Sequence, residues 1–121
     1  MIYKSVKYGN KKIQVDGITF DSRKEANRYC ELKLLQAGGI IKDLELQKEF
    51  ILIPAQYENP NATKHKGKCL ERACKYKADF YYYDCEHGKY ICEDTKGFKT
   101  KDYIIKRKLM LYVHGIRIIE V

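Results

Sequence analysis

Hydrophobic and polar positions recur at two different periods along this chain, and the places where the period changes mark its elements. In residues 11–20, KKIQVDGITF, Ile13 and Val15 alternate with polar neighbours and Ile18 and Phe20 do so again. Asp16-Gly17 stands between the two runs, so the segment predicts a β-hairpin closed by a tight turn. Asp21-Ser22 then opens a helix, because Ser22 and Glu25 form the S-x-x-E pattern of a capping box. Ala26, Tyr29, Cys30, Leu34 and Leu35 follow at helical spacing, and Gly38-Gly39 stops the run.

Residues 40–53 return to alternation, with Leu44, Leu46 and Lys48 against Glu45, Gln47 and Glu49, and Pro54 closes them. The stretch that follows has turn chemistry and loose charge, and predicts a flexible basic loop at about 55–73. Two strands are expected next, 74–83 and 89–96, joined by a turn containing Gly88. Thr100 caps a predicted second helix over 101–113, with Ile105, Leu109 and Tyr112 along one side. Gly115 ends it before an apolar final strand, IRIIEV. Hairpin, helix, strand, two strands, helix, strand is the order of an α/β (α+β) fold, with a central mixed β-sheet flanked by helices.

Length and charge narrow the picture. The 121 residues fit one domain with one core. No apolar run approaches the ~20 residues that span a bilayer, and the opening MIYKSVKYGNKK has no signal-peptide character. No membrane partner and a cytoplasmic location are therefore expected. Lys and Arg number 24 against 16 Asp and Glu, a net charge of +8, which suits an anionic partner, nucleic acid above all. The five cysteines, at 30, 69, 74, 85 and 92, lack the paired C-x2-C spacing of a zinc site and read as reduced thiols. A zinc-stabilised interaction domain built on the 69–92 cysteines is the third of three readings.

Strand alternation singles out a group that could do chemistry. In 89–96, Asp94 and Lys96 are two residues apart and share a face, while Glu93 points the other way. In the strand before, Asp79 shares a face with Lys75, Lys77 and Tyr81. Adjacent strands would set Asp79 beside Asp94. Paired carboxylates near a lysine repel unless a cation lies between them, and oxygen ligands suit Mg²⁺ (or Mn²⁺). Glu25, in the first turn of its helix, would supply a third carboxylate. Lys96 would orient or help deprotonate an attacking water, or hold the phosphate. Lys64, Lys66, Lys68, Arg72, Lys75 and Lys77 form a basic stretch suited to a DNA backbone, and Lys99, Lys101 and Lys108 add charge near the second helix.

Asp79, then fourteen residues, then Asp94-Thr95-Lys96 resembles the D…(D/E)-x-K signature of the PD-(D/E)XK, or restriction-endonuclease-like, nucleases. Together with YGNKK, the S-x-x-E-A helix start, ADF, EDTKG and K-x-K-L, the chain from Tyr8 to Val121 resembles a small phage and prophage family of that superfamily. Ala78 stands where the superfamily has proline. Glu93 beside Asp94 would replace it as ligand if a β-bulge intervened. The resemblance implies a restriction-endonuclease-like core in a single nuclease-like domain, 1–121, and Mg-dependent endodeoxyribonuclease activity. It implies Asp79, Asp94, the Thr95 carbonyl and Glu25 as metal ligands, Glu25, Asp79, Asp94 and Lys96 as catalytic residues, and Gln47 and Lys106 as further site candidates. Similarity to Holliday-junction resolvases extends this to cutting of branched DNA by a homodimer in phage DNA metabolism, within the host bacterial cytoplasm and with no small-molecule cofactor. The second reading is a non-catalytic DNA-binding protein that keeps the fold.

Overall fold

The computed structural model describes residues 12–121, so the YGNK of the YGNKK phrase lies outside the described residues. The elements run β1 (Ile13–Val15), β2 (Ile18–Phe20), α1 (Arg23–Ala37), β3 (Ile41–Ile53), β4 (Gln56–Tyr57) and β5 (Cys69–Glu71). They continue with β6 (Cys74–Asp84), β7 (Lys89–Asp94), α2 (Lys101–Leu109), a π-helical turn (Met110–His114) and β8 (Ile119–Glu120). The fold is α+β: a four-stranded sheet in the order β3-β6-β7-β8, two small antiparallel ribbons, β1-β2 and β4-β5, and two α-helices among the described residues. β8 runs parallel to β7, with Asp94 opposite Glu120. The chain divides into two compact units, Met1–Leu44 with Tyr82–Ile91 and Glu45–Tyr81 with Cys92–Val121. Among the described residues no helix is long and apolar enough to cross a membrane.

In the first unit, Asp16 and Gly17 both have positive φ, 53° and 76°, the backbone that a two-residue hairpin turn demands. Ser22 caps α1 by accepting from the Glu25 N–H at 3.2 Å. The buried stripe of α1 is Glu25, Ala26, Tyr29 and Leu32. Cys30 and Leu34, expected on that stripe, are exposed, Leu34 at 75%, because Leu32, seven residues past Glu25, continues the stripe and carries the burial. Tyr29 packs on Phe20 at 5.1 Å between ring centroids, and its hydroxyl donates to Asp16 at 2.9 Å.

In the second unit, Leu52, Tyr76, Ala78, Cys92, Tyr103, Met110 and Ile118 form one core cluster. Alternation puts Tyr76, Ala78 and Phe80 of β6 inside and leaves Lys75 and Lys77 exposed. Thr100 caps α2 through the Tyr103 N–H. The predicted single helix over 101–113 instead changes to a π-turn at Met110. Tyr103 and Met110, seven residues apart on one face, are buried, while Ile105 and Tyr112 are 57% and 88% exposed. The segment read as a basic loop carries the β4-β5 ribbon, with Gln56 opposite Glu71. Its turn is tied by Asn59 N–H to the Lys66 carbonyl and by Lys68 N–H to Glu58 Oε1. The two C-terminal strands are shorter than the sequence suggests: β7 ends at Asp94, and β8 is two residues long.

Candidate active site

The second unit gathers its chemistry where β7 ends. Asp94 is the last residue of β7 and only 1% exposed. The Tyr76 hydroxyl, from β6, donates to its Oδ2. Its Oδ1 is buried with no hydrogen-bond partner, and the Lys96 ammonium lies 3.8 Å from that oxygen. Burial pushes the Asp94 carboxyl up to about 6. The Tyr76 bond and Lys96 oppose that rise, and the nearby Asp79 carboxylate adds to it.

Asp79 is half-buried in β6. The Thr95 N–H and the Thr95 hydroxyl both donate to its Oδ2, each at 2.8 Å, and Gln47 Nε2 approaches Oδ1 at 3.4 Å. Gln47 holds φ at +54° inside β3, a conformation that non-glycine residues adopt at a cost, and such positions cluster at functional sites. Tyr76 and Asp79 are three residues apart, so alternation puts them on opposite faces of β6. Asp94 is bonded to the first and Thr95 to the second. The two aspartates therefore meet around the end of β7, not by sharing a face of two neighbouring strands. Lys96 lies beyond the strand and returns to Asp94 from the following segment, which corrects the shared-strand expectation.

A shallow cleft of about 270 Å³ opens beside these groups, lined by Tyr76, Lys77, Lys96, Thr100, Asp102, Tyr103 and Lys106. Lys77, Lys96 and Lys106 bring three cations to it against one acid, Asp102. The Tyr103 ring sits 5.1 Å from the Lys96 ammonium, within reach of a cation–π attraction. Its hydroxyl donates to Glu120 of β8 at 2.7 Å. Burial and these anionic neighbours push both Tyr76 and Tyr103 up, so each stays a neutral donor.

The structure thus brings together Asp79, Asp94, Thr95, Lys96 and Gln47, and puts Lys77 and Lys106 at the same cleft. Between the neighbouring acids, Asp94 is the one beside Lys96 and Tyr76; Glu93 is also buried. Glu25 belongs to the first unit, buried on α1 with its N–H at the Ser22 cap. Lys64, Lys66, Lys68 and Arg72 are exposed in and after the β4-β5 ribbon. Lys75 pairs with Glu49, and Lys99 with Glu120, each at 3.7 Å. Sequence reasoning missed Tyr76, Tyr103 and Glu120, and assigned Thr95 only through its carbonyl. An aromatic hydroxyl at an inward strand position was the available signal for Tyr76, since a buried hydroxyl needs a partner.

All five cysteines are free thiols, and burial pushes the Cys92 thiol up to about 12, which makes it inert. Among the described residues no three His, Cys, Asp or Glu side chains gather into a ready-made metal cage. No curated protein and no solved structure matches the chain. The sequence model of the family described as "Protein of unknown function (DUF1064)" matches residues 5–117, and the chain belongs to that family.

Proposed function

We propose that the protein is a metal-dependent DNA endonuclease with a restriction-endonuclease-like core, acting on branched DNA as a homodimer. The observation that carries this reading is Asp94 Oδ1: an oxygen of a fully buried carboxylate, without a hydrogen-bond donor, beside a second carboxylate and an ammonium group. A buried acceptor left in that state is costly unless a cation completes it. The donors are all hard oxygens: Asp94, Asp79 and the Thr95 carbonyl. That set suits Mg²⁺ or Mn²⁺, which keeps several waters and needs only one or two protein carboxylates. Once bound, the ion would polarise the phosphoryl group and offset the charge that develops on it.

The chain's own residues do the rest. Thr95 fixes Asp79 through two donors, and Tyr76 holds Asp94 Oδ2, which leaves Oδ1 with the Lys96 ammonium 3.8 Å away. Lys96 is placed to orient the attacking water or to grip a phosphate oxygen. The water oxygen bonds to phosphorus as the ester P–O bond breaks, and the leaving oxygen takes a proton. Lys77 and Lys106 supply further positive charge along the cleft. Phe98, 80% exposed between Lys96 and Lys99, offers a ring face to an unstacked base, which suits branched DNA.

A labelled four-way junction incubated with the protein should be cut with Mg²⁺ and left intact with EDTA. Asp94→Asn or Lys96→Ala should abolish the cutting. Wild-type protein that cuts neither junctions nor flaps nor nicked duplexes in Mg²⁺ or Mn²⁺ overturns the hydrolase. The same protein binding those DNAs without cutting them would support the alternative, a non-catalytic DNA-binding module.

A further inference from the structure

Helix α2 and the π-turn that follows it line two clefts. Lys106 faces the one beside Asp94 and Lys96, while Arg107, Lys108 and Leu111 face a second, of about 340 Å³, completed by Arg117, Ile118 and Glu120. The single acid of the second cleft is already engaged. Glu120 accepts from the Tyr103 hydroxyl at 2.7 Å and from Arg107 at 3.0 Å, and Lys99 lies 3.7 Å away. These partners hold its carboxyl below the usual range. Glu120 therefore orients the Arg107 guanidinium and has little charge left to repel an anion.

Lys108 and Arg117 are exposed, and neither has a carboxylate partner among the described residues. These two exposed cations and one oriented guanidinium around a hollow with apolar walls, Leu111 and Ile118, match a phosphate diester. The guanidinium fork fits two phosphate oxygens at once, and the apolar walls strengthen the attraction by excluding water. A lone phosphodiester carries one negative charge, which this cleft more than balances.

We propose that the Arg107–Lys108–Arg117 cleft is a second phosphate site, which grips the DNA backbone at a nucleotide other than the one cut. The inference rests on the reading of the protein as acting on DNA. Consecutive residues of one helix then serve both sites, so the grip fixes the register in which the strand enters the Lys96–Lys106 cleft.

The test is fluorescence anisotropy of a labelled duplex in EDTA across a range of KCl concentrations, with wild-type cutting in Mg²⁺ measured alongside. Each phosphate contact contributes ~0.9 to the slope of log K against log[salt]. The double variant Lys108→Ala/Arg117→Ala should therefore flatten the slope by about 1.8, and each of Lys108→Gln and Arg117→Gln by about 0.9. The glutamine variants keep a long polar side chain at these exposed positions, so they remain informative should the double variant fail to fold. Lys33→Ala, which removes an exposed cation of α1, should leave the slope unchanged. An unchanged slope in the cleft variants overturns the second site and leaves the nuclease reading untouched. A Lys33→Ala effect as large as theirs also overturns it, by showing diffuse charge only. A flattened slope with no wild-type cutting keeps the second site and removes the hydrolase. No DNA binding by wild type removes both.

Discussion

Replacing Asp94 by Asn should make the metal-free protein more stable while destroying the proposed activity. Asp94 is 1% exposed, and its carboxyl rises from the ordinary 3.8 to about 6 in the folded chain. At ~1.4 kcal/mol for each tenfold change in proton affinity, an ionised Asp94 costs the fold about 3 kcal/mol at neutral pH. The sign follows from the direction of the shift. A carboxyl whose folded value lies above its unfolded one favours folding while protonated, so its contribution is complete below pH 3.8 and is lost as pH rises through about 6. Asparagine carries no charge at any of these pH values. Its carbonyl still accepts from Tyr76, and its amide N–H can donate to Asp79.

Urea unfolding in EDTA checks this directly. At pH 7.5 the Asp94→Asn protein should exceed the wild type by about 3 kcal/mol, which for a domain of this size raises the melting temperature by roughly 10 °C. Near pH 4 the gap should close, because the wild-type carboxyl is then protonated in the fold. Mg²⁺ should narrow the gap at pH 7.5 by stabilising only the wild type, through mass action on the folded state. An Asp94→Asn protein no more stable than the wild type at pH 7.5 would refute the argument that this carboxylate is held against its own solvation.

Thr95→Val removes the hydroxyl donor to Asp79 but keeps the main-chain N–H; DNA cutting should then need about 10-fold more Mg²⁺, read from a metal titration of the cleavage rate. Ser22→Ala deletes the α1 cap and should lower stability by about 1 kcal/mol in urea unfolding, with Ser22→Asp restoring it. Gly67 has φ +79°, and a Cβ there would lie 2.7 Å from Glu58 Oε1, the acceptor of the Lys68 N–H. Gly67→Ala should cost about 1–2 kcal/mol and speed proteolysis within the β4-β5 ribbon.

What the sequence disclosed was whatever depends on neighbours in the chain. The Asp16-Gly17 turn, the Ser22 and Thr100 caps and the β6 alternation are decided by residues within four positions of each other, and the structure has each of them. Leu32 and Leu34 each fit a helical stripe, and the choice of Leu32 is made by what α1 packs against, which periodicity alone does not settle. In the second helix Tyr103 and Met110 are buried and Ile105 and Tyr112 are not; both pairs fit a period of 3.6, and the choice between them is made by the core that Tyr103 and Met110 join. The acid pair was legible as two short motifs. The hydroxyls that hold it were not, because Tyr76 is eighteen residues from Asp94 and Thr95 sixteen from Asp79.

That division bears on function. Where local preference, packing and polar satisfaction agree, a residue is explained by stability alone. At the end of β7 they disagree. An aspartate occupies a core strand position, its neighbour Glu93 is also buried, and a second aspartate adds repulsion rather than relief. Tyr76 compensates one oxygen, and Lys96 at 3.8 Å compensates the other only in part. A purely structural role would be served better by asparagine, which could bond both Tyr76 and Asp79 without any charge to desolvate. The retained charge makes physical sense if the folded chain meets a cation there, since binding energy then repays what the empty fold forgoes. The stability gain of Asp94→Asn thus measures what the buried charge costs the empty fold, and its narrowing with Mg²⁺ measures how much of that cost the proposed ion would offset at the concentration used.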